Sequence, residues 1–400
     1  MSHTYEVPFL IAGGGIGGLA AALSVAKTGQ SVQVLEQAHE FGEVGAGLQL
    51  GPNAMAALDH FGLLESISEY AVFPKRLVIM DALSGKELTS LDLGDSFRQR
   101  FGYPYAVMHR TDLHTVLLNA CRNKKNITLT TNKMVVAFED LGAKAKVVCA
   151  DGTTYIADAL IGADGIKSKT RKLFADDELI CSEYVAYRGT IPTVEVKDHA
   201  RLDEVTCWIG PELHLVQYPV RRKELFNQVV VFKSHFYSKE LEQTTQWATP
   251  EEMDERFSQC CPPVRNFVSY INRDFRWPLF DRNPIGQWTK GRIALLGDSA
   301  HPMLQYLAQG ACQALEDAVA LGEQLQHFHN DIEKAFPAYE KERTVRTAQV
   351  QRNARKFGDI LHTGDDVAVL LRNTIFTQRH SDDYTFVEWL YGYNVPSIHS

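Results

Sequence analysis

A glycine-rich turn between an apolar strand and a helix constrains this sequence more than any other feature. The apolar run Val7–Ala12 predicts a buried parallel strand, and Leu19–Lys27 and Ser31–Glu36 predict a helix and a second strand. Between the first strand and the helix lie three glycines spaced as G-x-G-x-x-G, namely Gly13, Gly15 and Gly18. In a βαβ unit these glycines permit a tight turn, a close approach of backbone to a pyrophosphate, and close packing of helix on strand. The pattern predicts an α/β protein with a Rossmann-type dinucleotide-binding domain.

An acidic residue strengthens this interpretation. Glu36 follows Gly18 by 18 residues and ends the second predicted strand, where a carboxylate can bind the ribose hydroxyls of a dinucleotide. Glycine-rich turns also occur for structural reasons alone, and that alternative stays open for the turn taken by itself.

The pattern of the chain changes between about residues 183 and 280. Alternating segments such as Glu212–Pro219 and Gln228–Phe232 predict an antiparallel sheet inserted into the nucleotide-binding domain. The aromatic segment Tyr384–Tyr393 is expected to dock on the rest of the protein. The predicted division is a discontinuous nucleotide-binding domain (1–75, 100–182 and 280–360), a mostly antiparallel β substrate domain (76–99 and 183–279) and a C-terminal helical segment (361–400).

Composition excludes several classes of function. With 41 basic and 49 acidic residues the net charge is −8, so nucleic acid is not an expected partner. Seven scattered cysteines without a C-x-x-C pair indicate reduced thiols and a cytoplasmic location. No apolar run is long enough to span a membrane, and no signal peptide is visible. His327 and His329 are expected on a solvated helix end, and no metal site is predicted.

Two further motifs identify the dinucleotide. They are Asp158–Arg171, which contains Asp164-Gly165, and the segment from Gly297-Asp298 to His301-Pro302, placed between an apolar strand and a helix. In this order after the N-terminal fingerprint, they resemble the group A flavoprotein aromatic hydroxylases over essentially the whole chain. Singly, Asp298 could cap a helix and Asp164-Gly165 could form a turn.

The resemblance implies a glutathione-reductase-like fold of the FAD-binding domain and a set of cofactor-binding residues. Gly13, Gly15, Gly18 and Glu36 would hold the ADP half of FAD, Arg110 the phosphate or ribityl region, and Asp298 the ribityl hydroxyls. The full set of expected cofactor-binding residues is Gly13, Gly15, Gly18, Glu36, Gly47, Arg110, Asp164, Gly297, Asp298 and Gly310.

The same resemblance implies NADH-dependent hydroxylation of a hydroxybenzoate by O₂ through a flavin C4a-hydroperoxide, with gentisate formed from 3-hydroxybenzoate. His214, Gln305 and Tyr218 would be catalytic, and Tyr105 would complete the substrate-binding set. His214 and Tyr218 are four residues apart on one predicted strand, so their side chains share a face. A half-buried sheet with a satisfied core histidine is the alternative. Decarboxylating hydroxylation of salicylate to catechol and a non-hydroxylating flavin oxidase also stay open, and a homodimer is a further expectation.

Overall fold

The glycine fingerprint lies at the end of the central strand of a parallel sheet, in a computed structural model that describes residues 3–42 and 45–393. The strands in chain order are β1 (Thr4–Ala12), β2 (Val32–Leu35), β3 (Gly47–Leu50), β4 (Arg76–Asp81), β5 (Glu87–Asp92), β6 (Ala106–His109), β7 (Ile127–Thr130), β8 (Val135–Asp140), β9 (Ala145–Cys149), β10 (Thr154–Gly162), β11 (Ile180–Pro192), β12 (Glu204–Gly210), β13 (Leu213–Val220), β14 (Leu225–Lys233), β15 (Trp277–Asp281), β16 (Thr289–Lys290) and β17 (Ile293–Leu295). The helices are α1 (Ile16–Lys27), α2 (Pro52–His60), α3 (Leu64–Ser68), α4 (Asp95–Phe101), α5 (Arg110–Arg122), α6 (Pro250–Phe257), α7 (Pro262–Val268), α8 (Gly310–His327), α9 (Ile332–His362), α10 (Asp366–Gln378) and α11 (Glu388–Tyr391).

The first sheet is the one that the fingerprint predicts. Its strands run in the order β16-β17-β10-β1-β2-β7, and β1 pairs in parallel with both β10 and β2. The C-terminal half of β1 is fully buried because helices cover the sheet. Two of these helices, α1 and α8, pack against each other. The helix that follows the glycines begins at Ile16, three residues before the predicted start. The predicted α/β fold class is confirmed.

The second sheet has seven strands in the order β15-β11-β14-β13-β12-β4-β5. Its pairs are antiparallel except for β12 with β4, which run parallel. One face packs against α6 and α7, two helices that the sequence pattern did not predict. Leu213 and Leu215 of β13 lie in the apolar core on that face, with Phe257 and Phe267 of the two helices. The opposite face of β13 packs on the part of the chain around β6.

The long helix α9 connects the two sheets. It contacts β16, an edge strand of the first sheet, and also β12 and β13 of the second sheet. Near its middle, Arg346 donates hydrogen bonds to the backbone oxygens of Trp389 and Leu390, so the aromatic segment packs on the body of the protein. Residues 394–400 of the predicted C-terminal segment lie outside the described residues, and the domain boundaries stay predictions. None of the helices in the described ranges is long and apolar enough to cross a membrane.

Candidate active site

The glycine turn is a close-packed cradle in which a side chain has no room. A Cβ on Gly13, whose φ is +116°, would lie 2.2 Å from the backbone oxygen of Ala163. A Cβ on Gly18 would lie 2.0 Å from the backbone oxygen of Gly13. Gly15 is the N-cap of α1, and no side chain caps the helix there. The turn therefore presents bare backbone and the positive end of a helix dipole, an arrangement that suits a pyrophosphate.

Glu36 lies at the end of β2 and is tied to this turn. The backbone N–H of Gly14 donates to its Oε2 at 2.8 Å, and the N–H of Ala38 donates to its Oε1 at 2.8 Å. The carboxylate is half-buried and is held at the carboxyl end of the parallel strands. This is the edge where nucleotides bind in doubly wound sheets.

Asp164 organises the loop that closes over Gly13. Its carboxylate accepts hydrogen bonds from the hydroxyl of Ser168 at 2.6 Å and from the backbone N–H groups of Lys169 and Thr170 at 2.7 and 3.0 Å. The structure thus gives Asp164 a loop-forming role, which was the alternative left open for it. Gly165 has φ of +76°, as a turn glycine should.

The Gly297-Asp298 turn follows β17 and points toward the start of α8. Gly297 has φ of +66°, and its N–H donates to Asp317 Oδ2 at 2.9 Å. Asp298 is exposed and adjoins Gly310, since a Cβ on that glycine would lie 3.9 Å from Asp298 Oδ1. Asp298 and Gly310 therefore lie next to each other at the N-terminus of α8.

Buried ion pairs hold the Gly297-Asp298 turn in place. Asp317 also pairs with His301 at 2.5 Å and with Arg343 at 2.8 Å, all three being fully buried. Burial alone would raise the pKa of Asp317, but His301 and Arg343 hold it at about 2. Glu316 pairs with Arg343 and Arg346 in the same network. The sequence reasoning missed these residues, because ion pairs between separate helices leave no local pattern.

Gly47 lies on the short two-stranded sheet formed by β3 and β6, and Arg110 directly follows β6. Arg110 begins α5, and its backbone N–H donates to the oxygen of Ala46 at 2.8 Å. The N–H of Gly47 donates to Asn227 of the second sheet at 2.7 Å, and a Cβ on Gly47 would lie 2.6 Å from the Tyr218 ring. Position 47 therefore has room only for a glycine, because Asn227 of β14 and the Tyr218 ring of β13 approach its backbone closely.

Tyr218 and Tyr105 belong to a buried cluster of phenol rings, here called the tyrosine cluster (Gln49, Tyr105, Tyr218 and Tyr391). The Tyr105 hydroxyl donates to Gln49 Oε1 at 2.6 Å, and its ring lies 5.9 Å from the Tyr391 ring. Burial raises the pKa of both Tyr105 and Tyr218 well above the usual value. Both phenols therefore stay protonated at neutral pH and can donate hydrogen bonds.

His214 lies on the same face of β13 as Tyr218, opposite Leu213 and Leu215. It is only 3% exposed. Its Nδ1 lies 2.6 Å from Nε2 of His362, and the two rings lie edge to edge with their planes 16° apart and their centroids 4.9 Å apart, as an in-plane hydrogen bond requires. Within the described ranges Nε2 of His214 has no hydrogen-bond partner. The ring of Tyr306, the residue after Gln305, meets His214 edge-on at 5.8 Å.

Gln305 begins a short 3-10 turn that precedes α8 and is half-buried. Its neighbour Tyr306 packs between His214 and Gly358 of α9, so the turn lies against the histidine side of β13. The structure therefore brings His214 and the turn of Gln305 together. It places Tyr218 and Tyr105 in the separate tyrosine cluster, four residues or about 13 Å away along the strand.

Comparisons with known proteins identify the family. A model of the family described as FAD binding domain matches residues 6–354. The chain belongs to this family. It is 42% identical to the 3-hydroxybenzoate 6-hydroxylase of Polaromonas naphthalenivorans (strain CJ2) over 98% of this chain and 97% of the relative, and 39% identical to that of Klebsiella oxytoca over 96% of each. The structure of Klebsiella pneumoniae HpxO complexed with FAD and uric acid superposes with a TM-score of 0.84 at 24% identity, covering 96% of each chain.

These findings confirm the predicted membership among the FAD-dependent aromatic hydroxylases, and the chain is an FAD-dependent monooxygenase. The cradle fits the cofactor, because bare glycine backbone, an uncapped helix N-terminus and the Glu36 carboxylate lie together at one strand edge. The individual site residues stay predictions. Gln49, Tyr306, His362 and Tyr391 adjoin the predicted residues but were missed, although Tyr391 lies within the aromatic segment that was expected to dock on the rest of the protein.

Proposed function

We propose that this flavoenzyme hydroxylates 3-hydroxybenzoate para to its phenol, giving gentisate. The balance is 3-hydroxybenzoate, O₂, NADH and a proton to gentisate, NAD⁺ and water. One observation carries the assignment of roles. A single face of β13 presents the His214 Nε2, for which the described residues offer no hydrogen-bond partner, and the buried phenol of Tyr218, about 13 Å away. A benzene ring with polar groups on separate edges fits between such groups, and two relatives named 3-hydroxybenzoate 6-hydroxylase support the substrate.

His214 is proposed as the base that removes the phenol proton. Burial lowers the pKa of His214 well below its usual range, and His362 lowers it further, so the imidazole is neutral at pH 7. A neutral imidazole can accept a proton at Nε2, whereas imidazolium cannot. A phenol with a pKa near 10 needs roughly 4 kcal/mol of help to ionise at pH 7. The imidazolium that forms would lie beside the phenolate, and this paired charge together with Gln305 as a donor would supply that help.

The tyrosine cluster is proposed to hold the substrate carboxylate. Tyr105 and Tyr218 are buried phenols with raised pKa values, so they carry no negative charge of their own. The Tyr105 O–H that donates to Gln49 would turn to the carboxylate when substrate binds. Donors of this kind suit a carboxylate, which accepts through both oxygens. With the phenol at His214 and the carboxylate at the cluster, the ring would span the face of β13.

FAD supplies the activated oxygen, since the flavin passes electrons from the nicotinamide to O₂. The chain holds FAD through the glycine cradle, Glu36 and the Gly297-Asp298 turn in this proposal. Apolar packing around Tyr105, Val107 and Val220 would keep water from the reacting ring. NADH as reductant, a homodimer and a cytoplasmic location belong to the same proposal.

A panel of hydroxybenzoates tests the proposal. The purified enzyme with FAD is mixed with each acid and NADH, and NADH oxidation is followed before the products are identified by chromatography. We expect 3-hydroxybenzoate to give the highest kcat/KM and gentisate as product. Catechol and CO₂ from salicylate would instead support the decarboxylating alternative, and NADH oxidation with H₂O₂ alone would support an oxidase.

A further inference from the structure

A second histidine, His362, contacts His214, and the proposed function gives it no part in setting the direction of proton transfer. His362 is the last residue of α9 and is buried. Its ring packs on the ring of Tyr184, with the centroids 4.6 Å apart, and lies edge to edge with the ring of His214, with the centroids 4.9 Å apart. Tyr306 closes the edge of the stack at 5.1 Å. The ring of His362 is therefore fixed in its plane by three neighbours.

The backbone fixes the position of His362 as firmly as the rings fix its plane. Its carbonyl oxygen accepts a hydrogen bond from the backbone N–H of Glu212, in the turn that leads into β13, at 2.8 Å. The preceding carbonyl, of Leu361, accepts from Arg372 of α10 at 3.0 Å. The end of α9 is thus tied to the strand that carries His214, so the two imidazoles are held in register.

The hydrogen bond between the rings decides which nitrogen of His214 is free to act as a base. A neutral imidazole carries its proton on one nitrogen and accepts at the other. If Nε2 of His214 is to accept the phenol proton, Nδ1 must carry the ring proton and donate it to His362. At 2.6 Å, Nε2 of His362 is in position to accept it. The reverse tautomer would put a proton on Nε2 of His214 and block the base.

We propose that His362 is a positioning residue that holds His214 in the tautomer protonated at Nδ1, leaving Nε2 free for the substrate phenol. The proposal rests on the proposed function, in which His214 is the base. When His214 becomes imidazolium, its Nδ1–H still donates to His362, and a neutral His362 stabilises the new positive charge by accepting that hydrogen bond. His362 keeps that neutral form because burial lowers its pKa to about 4.

Two variants separate the hydrogen bond from the packing. His362→Phe keeps a ring between His214 and Tyr184 but has no acceptor. His362→Gln places an amide oxygen near the position of Nε2, so it keeps an acceptor and loses the stack. His327→Phe is the matched control, because His327 is exposed at the end of α8 and makes a ring contact with Phe328 alone among the described residues.

The tautomer is read directly by ¹⁵N NMR of histidine-labelled enzyme with FAD, with the His214 signals assigned as those missing from His214→Ala. We expect the Nδ1–H tautomer of His214 in wild type, His362→Gln and His327→Phe, and a loss of that preference in His362→Phe. The NMR measurement needs no turnover, so its result does not depend on whether 3-hydroxybenzoate is the substrate. An unchanged His214 tautomer in His362→Phe overturns the proposal.

Turnover supplies the second readout. We expect His362→Phe to lower kcat for gentisate formation about 10-fold or more, within the range that a general base supplies, while KM and FAD content stay near wild type. His362→Gln should recover most of kcat. The charged and titratable groups around the pair are Glu212, Asp359 and Arg372 with Tyr184 and Tyr306, and all are unchanged in both variants. If His362→Phe does not fold, His362→Gln decides: a near-normal kcat supports the proposal, and a kcat as low as that of His214→Ala overturns it.

Discussion

Replacement of His214 by alanine should abolish most hydroxylation and leave the flavin site intact. His214 lies on β13 in the second sheet, whereas the glycine cradle and Glu36 lie at the edge of the first. The variant should therefore bind FAD in the same ratio and with the same absorption spectrum as the wild type. Gentisate formation should fall about 10²-fold or more, the usual contribution of a general base.

The pH dependence of the variant gives the sharper test. A free phenol with a pKa near 10 is roughly 0.1% ionised at pH 7 and about 10% ionised at pH 9, so alkali can replace much of the missing base. We expect the hydroxylation rate of His214→Ala to rise steeply across that range. The wild-type rate should change little, because burial keeps its imidazole neutral throughout.

The assay measures gentisate, H₂O₂ and NADH consumed in the same reaction, at each pH, for wild type and variant. Reducing equivalents that no longer reach the ring should appear as H₂O₂. His199→Ala, at an exposed histidine of the same domain, is the control for the loss of an imidazole. Full coupling in His214→Ala with an unchanged pH profile would refute the role of base and return His214 to a satisfied core histidine.

Two other predictions follow from named contacts, and a third follows from the family resemblance. Gly18→Ala forces a Cβ to 2.0 Å from the Gly13 oxygen, against an ordinary contact of 3.4 Å or more. Overpacking of this kind costs roughly 1–3 kcal/mol, so FAD titration should show about 5- to 150-fold weaker binding. Gly286→Ala, where a Cβ meets nothing, should bind FAD normally. Asp317 contributes about 2 kcal/mol to the free energy of unfolding. Since its folded pKa is lowered to about 2, this contribution is full above pH 4 and declines as pH falls toward 2. Denaturant unfolding across pH 2–6 should show that the wild type loses about 2 kcal/mol more than Asp317→Asn as the pH falls toward 2. Steady-state kinetics should give a kcat/KM for NADH about tenfold or more above that for NADPH, and equal values would contradict the expected preference.

The nucleotide-binding sheet was predictable because its signal is local. The apolar run of β1, the glycines and Glu36 occupy one stretch of sequence, and the steric demands of the turn act within it. The alternation of apolar and polar residues also predicted the strands around β13. The helices α6 and α7 were missed because each is short, with eight and seven residues, and both begin at prolines that read equally well as loop residues.

The candidate site was predictable only in part, because most of its contacts join distant segments. His214 and His362 are 148 residues apart in sequence, and only the packing of the end of α9 on β13 brings them together. The Asp317–His301–Arg343 network likewise joins a turn and two helices. Asp164 shows the opposite case: its three hydrogen bonds lie within its own loop, so the turn was visible from the local sequence, and its contact with the cofactor stays a prediction.

Hydroxylation under ¹⁸O₂ tests the central proposal most directly. Enzyme with FAD, NADH and 3-hydroxybenzoate is incubated under labelled oxygen, and the aromatic product is analysed by mass spectrometry. We expect gentisate that carries one labelled oxygen at the new hydroxyl, formed in step with NADH oxidation. Unlabelled gentisate, labelled catechol in place of gentisate, or NADH oxidation with H₂O₂ as the sole product would contradict the proposed reaction.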